Sequence, residues 1–391
     1  MLSVIGQGYV GMPLALAAAS AGHATVGIDL NPKIVSSVTS LHSPIEDISD
    51  AQIEVAYASG RYRITNTYES IKESEIVVIC VPTPLDAAGM PDLTFLKAAV
   101  SEVSDNLKDG ALVVIESTVA PGTTRDFVAP ILDVAKVGYE LAYSPERIDP
   151  ANKKWNVTNT PKLVAGITSS ATHRASNFYQ TFVSDVVQGS SVEVIETAKL
   201  LENSFRLINI SFINEIAEIC LKMKIDVREV IEAASTKPYG FMAFYPGAGV
   251  GGHCIPVDPS YLSSKAKEIG ASARFIDLAN QVNHELPDYF TKIAAKALGE
   301  IKNKNILIVG VAYKSDVSDI RETPALDLIR ALRNAGAQVS WHDDLVQEWN
   351  GEKSAPLATT YDLAILVNPH TGTDLSKLGS VRILDTRGGY Q

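Results

Sequence analysis

Cysteine is scarce in this chain: 391 residues hold three, Cys80, Cys220 and Cys254. So few and so scattered, they exclude a disulfide framework or a zinc ribbon, and the thiols are expected to stay reduced. Long hydrophobic runs are missing too. No stretch approaches the unbroken apolar length of a membrane span, and Met1 leads into a strand-like segment without a basic leader, so a cytoplasmic protein with no membrane partner is expected. A basic surplus is also absent. The formal net charge is −11, which argues against nucleic acid as a partner, because a phosphate backbone calls for a basic face. A small anion held by a few placed Arg and Lys is not excluded. What remains is 46% apolar and 20% charged, the balance of a globular chain long enough for two or three domains with full cores.

The first informative segment is Leu2-Ser-Val-Ile5, followed by Gly6-Gln-Gly-Tyr-Val-Gly11 and a helical stretch from Pro13 to Ala21. This is the strand, glycine-rich turn and helix of a dinucleotide fingerprint: Gly6, Gly8 and Gly11 permit a tight turn and let a pyrophosphate approach the helix start. Ala24 to Ile28 reads as the next strand, with Asp29 at its end, where a ribose-binding acid belongs. An acid there repels a 2′-phosphate, so the expected cofactor is NAD rather than NADP. Further strands are predicted at Ile76 to Val81 and Leu112 to Ile115. Each runs into a polar turn carrying a threonine, Thr83 or Thr118. Ligands lie beyond the carboxyl ends of such strands, which makes both residues cofactor candidates; an equal reading has each hydroxyl bonding its own backbone. Pro145-Glu-Arg-Ile-Asp-Pro150 follows a strand at Leu141 to Ser144 and reads either as a functional turn or as a surface ion pair. Lys162 to Gly166 is predicted to close this sheet.

Val192 to Met223 is one long helical pattern without Gly or Pro, apolar on most faces. Such a helix is expected to be buried, spanning domains or packing on a second copy, so a homodimer is expected. Lys199, Asn203 and Arg206 share one of its faces, either to meet a ligand or as a solvated stripe. Next comes Gly247-Ala-Gly-Val-Gly-Gly-His-Cys-Ile-Pro-Val-Asp-Pro-Ser-Tyr261. Permissive backbone is kept where something approaches closely, and a thiol on such a loop can act as a nucleophile. Cys254 is the first candidate for chemistry, against the blander reading of a buried structural cysteine. A second long helix is predicted to about Leu298. The segment Asn305 to Val311, the loop Lys314 to Pro324, the helix Ala325 to Ala335 and the strand Gln338 to His342 then form a second βαβ unit, with strands at Leu363 to Val367 and Val381 to Leu384.

Taken in order, Gly6 to Gly11, the Lys199/Asn203 pair, Gly249-Val-Gly-Gly-His-Cys-Ile-Pro-Val-Asp-Pro259 and Lys314 to Arg321 closely resemble the UDP-glucose/GDP-mannose dehydrogenase family. The resemblance implies an α/β chain: two Rossmann-like doubly wound domains joined by a long central helix in an all-helical dimerisation domain. The bounds are an NAD-binding domain over 1–190, the central domain with the cysteine loop over 191–298, and a UDP-sugar-binding domain over 299–391. It implies four-electron oxidation of a sugar C6 alcohol to the carboxylate, with NAD as acceptor. Cys254 would hold the aldehyde as a thiohemiacetal and then a thioester, Lys199 and Asn203 would stabilise oxyanions, Asp258 would assist Lys199, and Glu146 would organise the hydrolytic water. Carried over by position, Tyr9, Val10, Asp29, Thr83, Thr118 and Arg321 look like NAD contacts. Arg147, Ile148, Lys199, Asn203, Arg206, Gly251, Tyr313 and Lys314 look like contacts to the nucleotide sugar.

Within the family, Ser144-Pro-Glu-Arg147, Phe241 to Tyr245 and the cysteine loop look most like enzymes of UDP-N-acetylhexosamines, with UDP-N-acetylglucosamine favoured over UDP-glucose or UDP-N-acetylmannosamine. The sequence departs from the pattern at Ala151, where glycine is common, and lacks a second glutamate four residues after Glu146; Asp149 and Pro150 stand nearby. His253 is expected to steady the loop or line the substrate pocket rather than form a dyad with its neighbour, and no metal site is expected. A two-electron hydroxyacid dehydrogenase and a non-catalytic NAD-binding protein are the competing readings.

Overall fold

The computed structural model describes residues 1–149, 152 and 154–390. Pro150 and Ala151, where departures from the family pattern fall, lie outside the described residues. The chain divides into two compact units, Met1–Glu202 with Ser264–Ile269, and Asn203–Ser263 with Gly270–Gln391.

The first unit is built on one sheet of eight strands: β1 (Leu2–Ile5), β2 (Thr25–Ile28), β3 (Tyr62–Thr65), β4 (Ile76–Ile79), β5 (Ala111–Ile115), β6 (Tyr139–Tyr143), β7 (Lys162–Gly166) and β8 (Val186–Gln188), in the order β3-β2-β1-β4-β5-β6-β7-β8. Every pairing is parallel except that of β6 with β7. The central strands Ile76-Val-Val-Ile79 and Ala111-Leu-Val-Val-Ile115 are unbroken apolar runs, as a sheet covered on both faces requires. One face packs on α1 (Gly11–Ser20) and α3 (Asp50–Ala58) through Met12, Leu16 and Ile53. The other packs on α4 (Thr94–Asn106) and α5 (Ala129–Leu132) through Leu96, Val100 and Leu132. The strand order reverses between β1 and β4, so the ligand crevice lies at their carboxyl ends. The helices α2 (Pro32–Thr39) and α6 (Ser169–Tyr179) and the first turns of α7 (Val192–Met223) complete the unit. The sheet does not close at Lys162–Gly166 as the sequence predicts, because β8 adds an edge beyond it; β3 and β8 are short and partly exposed, which leaves little hydrophobic pattern to read.

The second unit takes the rest of α7, then α8 (Val227–Ser235), the start of α9 (Asp258–Glu268) and α10 (Arg274–Leu298). The single long helix expected after the cysteine loop is two helices, interrupted at Gly270, whose φ of +76° is left-handed. A five-stranded sheet follows, formed by β9 (Asn305–Val309), β10 (Gln338–His342), β13 (Leu363–Leu366), β14 (Arg382–Asp385) and β15 (Gly389–Tyr390), ordered β10-β9-β13-β14-β15 and parallel except at β15. Between β10 and β13 lies a small hairpin, β11 (Glu348–Trp349) and β12 (Glu352–Lys353). Helix α11 (Pro324–Asn334) starts on Thr323, whose hydroxyl caps Ala325 N–H, with Pro324 at the first helical position. Leu328, Ile329 and Leu332 of α11 pack with Phe290 of α10 on one face of this sheet. No helix among the described residues is long and apolar enough to cross a membrane.

Candidate active site

The three glycines of the first turn are needed for different reasons. Gly6 is left-handed (φ +86°), and a Cβ there would lie 2.4 Å from the Cys80 carbonyl oxygen; one on Gly11 would lie 1.9 Å from the Gly6 carbonyl. At Gly8 an added Cβ would meet nothing within 4 Å. The space above Gly8 is therefore open, at the start of a helix with no side-chain cap and no acid in its first turn, whereas α2, α3 and α6 are capped by Asn31, Ser49 and Thr168. An open approach to uncapped helix amides suits a pyrophosphate. Asp29 stands at the end of β2, half-exposed; one oxygen accepts Gln7 N–H (2.8 Å) and the other Asn31 N–H (2.8 Å). Each oxygen keeps a second lone pair for a ribose hydroxyl. These residues fit NAD, which would accept hydride from the substrate carbon.

Gln7, missed in the sequence reading, is fully buried: Nε2 donates to the Val4 carbonyl (2.9 Å) and Oε1 accepts from the Tyr62 hydroxyl (2.9 Å). It thereby anchors the turn to the sheet. Tyr9 donates its hydroxyl to Glu46 (2.7 Å), and Val10 is the residue before α1. Thr83 donates its hydroxyl to the Thr118 carbonyl (2.8 Å), and Ser117 donates to Val81 O (2.7 Å), so the turns after β4 and β5 are stitched together. Thr83 thus serves the backbone that presents Thr118. Glu146 accepts the N–H of Ile148. Arg147 pairs with Glu202 on α7 (2.8 Å) and also donates to Pro161 O (2.7 Å), a partnership the sequence reading did not foresee.

Helix α7 carries Glu196, fully buried, whose carboxylate accepts the N–H groups of Gly122 (2.6 Å) and Thr124 (2.9 Å) in the turn beyond Thr118. Burial outweighs those donors and pushes its carboxyl up to about 7. Lys199 is 4% exposed and Asn203 6%, so this face is no solvated stripe, while Arg206 at its end is exposed.

In the second unit the cysteine loop is held by side chains far away in sequence. Asn214 accepts Gly247 N–H (2.9 Å), Asn283 accepts Val250 N–H (2.8 Å), and the Arg321 carbonyl accepts Gly252 N–H (3.1 Å). The loop lies against Tyr313: a Cβ on Gly251 would sit 2.9 Å from Tyr313 Cβ and from the Glu322 carbonyl, and one on left-handed Gly252 would sit 2.7 Å from the Tyr313 ring. Cys254 occupies the turn that opens α9, its carbonyl accepting Asp258 N–H (2.8 Å). Asp258 is buried and accepts from Asn203 Nδ2 at 2.6 Å. The three thiols now separate. Cys254 is half-exposed, Cys220 is buried in a small apolar cluster, and the Cys80 thiol is pushed well up by desolvation and then by the charge of Glu116. Arg321 is clamped by Asp319 (2.6 to 3.0 Å). Burial, then the Arg321 charge, pulls the His253 imidazole below its ordinary value, against a smaller pull from Asp319.

A dinucleotide turn in one unit, and in the other a buried carboxamide–carboxylate pair whose acid follows a half-exposed thiol by four residues, fit one class: an NAD-linked dehydrogenase. Three family models cover the chain: the UDP-glucose/GDP-mannose dehydrogenase family NAD binding domain matches residues 1–183, its central domain 193–285 and its UDP binding domain 307–381. A UDP-N-acetyl-D-glucosamine 6-dehydrogenase of Salmonella typhi is 35% identical over 356 residues, covering 88% of this chain and 82% of its own. A UDP-N-acetyl-D-mannosamine dehydrogenase of Pyrococcus horikoshii is 32% identical, over 88% and 84%. The solved structure of a UDP-glucose dehydrogenase from Pyrobaculum islandicum superposes with a TM-score of 0.92 at 25% identity, over 99% of this chain and 94% of that one. The chain belongs to the UDP-glucose/GDP-mannose dehydrogenase family. It is an NAD-dependent nucleotide-sugar dehydrogenase.

Proposed function

We propose that the chain oxidises the C6 hydroxyl of a UDP-N-acetylhexosamine, UDP-N-acetylglucosamine in the first instance, to the uronate through a covalent intermediate on Cys254. The observation that carries this reading is the Asn203–Asp258 bond of 2.6 Å, buried four residues from a half-exposed thiol. The alcohol loses a proton and a hydride to give the aldehyde; the Cys254 sulfur adds to its carbon, giving a thiohemiacetal. Loss of a second hydride together with the hydroxyl proton leaves a thioester, and water cleaves the C–S bond, releasing the carboxylate and a proton and returning the thiol. Per sugar, one water is consumed, two NAD are reduced and three protons are released. Lys199 and Asn203 stabilise the oxyanions, Asp258 fixes the Asn203 amide and assists proton transfer with Lys199, Glu146 organises the water, and Thr118 stands at the cofactor crevice. Tyr9, Val10, Asp29, Thr83 and Arg321 serve NAD. Arg147, Ile148, Arg206, Gly251, Tyr313 and Lys314 serve the nucleotide sugar.

The choice of sugar rests on the likeness of the cysteine loop and of Ser144-Pro-Glu-Arg147 to enzymes of acetylated sugars, and on the relative named for UDP-N-acetylglucosamine. The relative named for UDP-N-acetylmannosamine supports that sugar as the second reading. The deciding measurement is NADH formed per mole of each UDP-sugar consumed. Two with UDP-N-acetylglucosamine is the expected result, and Cys254→Ala should abolish uronate formation. Two with another sugar moves the substrate and keeps the chemistry; one NADH per sugar, or uronate formed at the normal rate by Cys254→Ala, removes the covalent route. The chain also reads as a homodimer, because α7 leaves Phe205, Phe212, Ile219 and Met223 exposed along one face.

A further inference from the structure

The second unit repeats the glycine turn of the first and then departs from it. Gly6 and Gly310 both hold a left-handed φ, +86° and +82°. Both donate N–H to the last residue of the neighbouring strand, Ile28 at 2.8 Å and His342 at 2.9 Å. The next amides, Gln7 and Val311, each donate at 2.8 Å to the acid following that strand, Asp29 and Asp343. Asp29 is half-exposed, facing the crevice. Asp343 is buried, and its two oxygens also take the N–H groups of Ala312 (3.2 Å), Leu345 (2.9 Å) and Val346 (2.9 Å) and the Nε2 of His370 (2.7 Å). A carboxylate with five donors has no capacity left for a ribose hydroxyl. The acid left half-exposed in the first unit has an internal brace as its counterpart in the second.

His370 extends that brace to the far end of the segment. Its Nδ1 accepts Asp316 N–H (2.8 Å), which assigns the ring proton to Nε2 and to the bond with Asp343. Asn368 donates to the carbonyls of Ala312 (3.0 Å) and Tyr313 (3.1 Å), and the Asp316 carboxylate takes the N–H and hydroxyl of Thr371 (2.8 and 2.6 Å). Asp316 is itself left-handed, with φ +64°, a conformation uncommon outside glycine that Asp tolerates better than most residues.

We propose that His370, together with Asn368, is a positioning residue for the nucleotide sugar: the Asp343–His370 pair latches Val311–Asp316 so that Tyr313 and Lys314 meet the UDP group already ordered. The inference rests on the reading of this unit as the UDP-sugar holder. A segment released from the latch has to be ordered by the ligand, and that cost is subtracted from binding.

Calorimetry of the full chain with UDP as the probe, beside steady-state kinetics, tests it. His370→Ala and Asn368→Ala are each expected to weaken UDP binding and raise the KM for the UDP-sugar by about ten-fold, with kcat held within about two-fold and NAD binding unchanged. Lys314→Ala is the control for the underlying reading. UDP binding and KM unchanged in both latch variants, while Lys314→Ala weakens UDP, overturns the latch alone. A lowered unfolding midpoint with kcat and KM moving together also overturns it, since that is a structural role only. No UDP binding by the wild-type chain, or none lost in Lys314→Ala, overturns the reading and the latch with it. If His370→Ala does not fold, Asn368→Ala decides, because it strands no buried carboxylate.

Discussion

Gly8 and Gly11 stand three residues apart in one turn and are glycine for opposite reasons: Gly8 faces open space, while the atoms that a side chain on Gly11 would displace are backbone. Gly8→Ala is expected to leave the unfolding midpoint within about 1 °C of wild type while weakening NAD by about ten-fold or more, because the methyl occupies the ligand's approach. Gly11→Ala should instead lower the midpoint or prevent folding, since a contact of 1.9 Å with a carbonyl oxygen cannot be relieved by turning a side chain. Thermal unfolding beside cofactor titration separates the two. The turn itself was legible in the sequence, because local glycine spacing encodes local geometry. Gln7 was not, since its role is defined by Tyr62 on β3 and no spacing announces that contact.

At the scale of elements, α7 presents Glu196, Lys199 and Asn203 on neighbouring turns, all buried. The pair Lys199/Asn203 was visible as polar residues in register on an apolar helix. Glu196 was passed over, because its partners are main-chain amides about seventy residues earlier, which have no sequence signature. Its carboxyl is raised from 4.5 to about 7 in the fold, a burden on the order of 3 kcal/mol when ionised. Below about pH 4.5 both folded and unfolded chains carry the proton and the burden is absent. Between there and about 7 the folded chain keeps a proton that the unfolded chain has released, so this residue's share of stability falls as pH rises and levels off above. Comparing unfolding midpoints at about pH 5 and about pH 8 should show a fall in wild type that is smaller in Glu196→Gln. Equal slopes in the two proteins would remove Glu196 as the source. The short strands β3 and β8 escaped prediction for a related reason: edge strands with exposed residues carry little alternation, and their pairing is settled by the neighbouring strand.

For the whole molecule, two Rossmann-type units could be read from repeated strand, turn and helix patterns, and the cysteine loop from its density of glycine and proline. The side chains that hold that loop, Asn214 and Asn283, could not, because each is one of many polar residues on a long helix and no local spacing marks it out. Assembly is the property that α7 leaves open to direct test. Phe212 is 56% exposed in the stripe formed with Phe205, Ile219 and Met223; on the homodimer proposed above, light scattering is expected to give a dimer mass for wild type and a monomer mass for Phe212→Glu, whereas equal masses for the two would remove this stripe as the interface. The bedding of Gly251 and Gly252 against Tyr313 has one more consequence. On the reading proposed above, the nucleotide is anchored beside that ring and the thiol rides on the loop packed against it, so the gap between anchor and sulfur is a fixed length. Tyr313 then works as a ruler: a sugar whose reactive carbon falls short of the thiol or overshoots it is rejected by reach alone, before any hydroxyl on its ring is recognised.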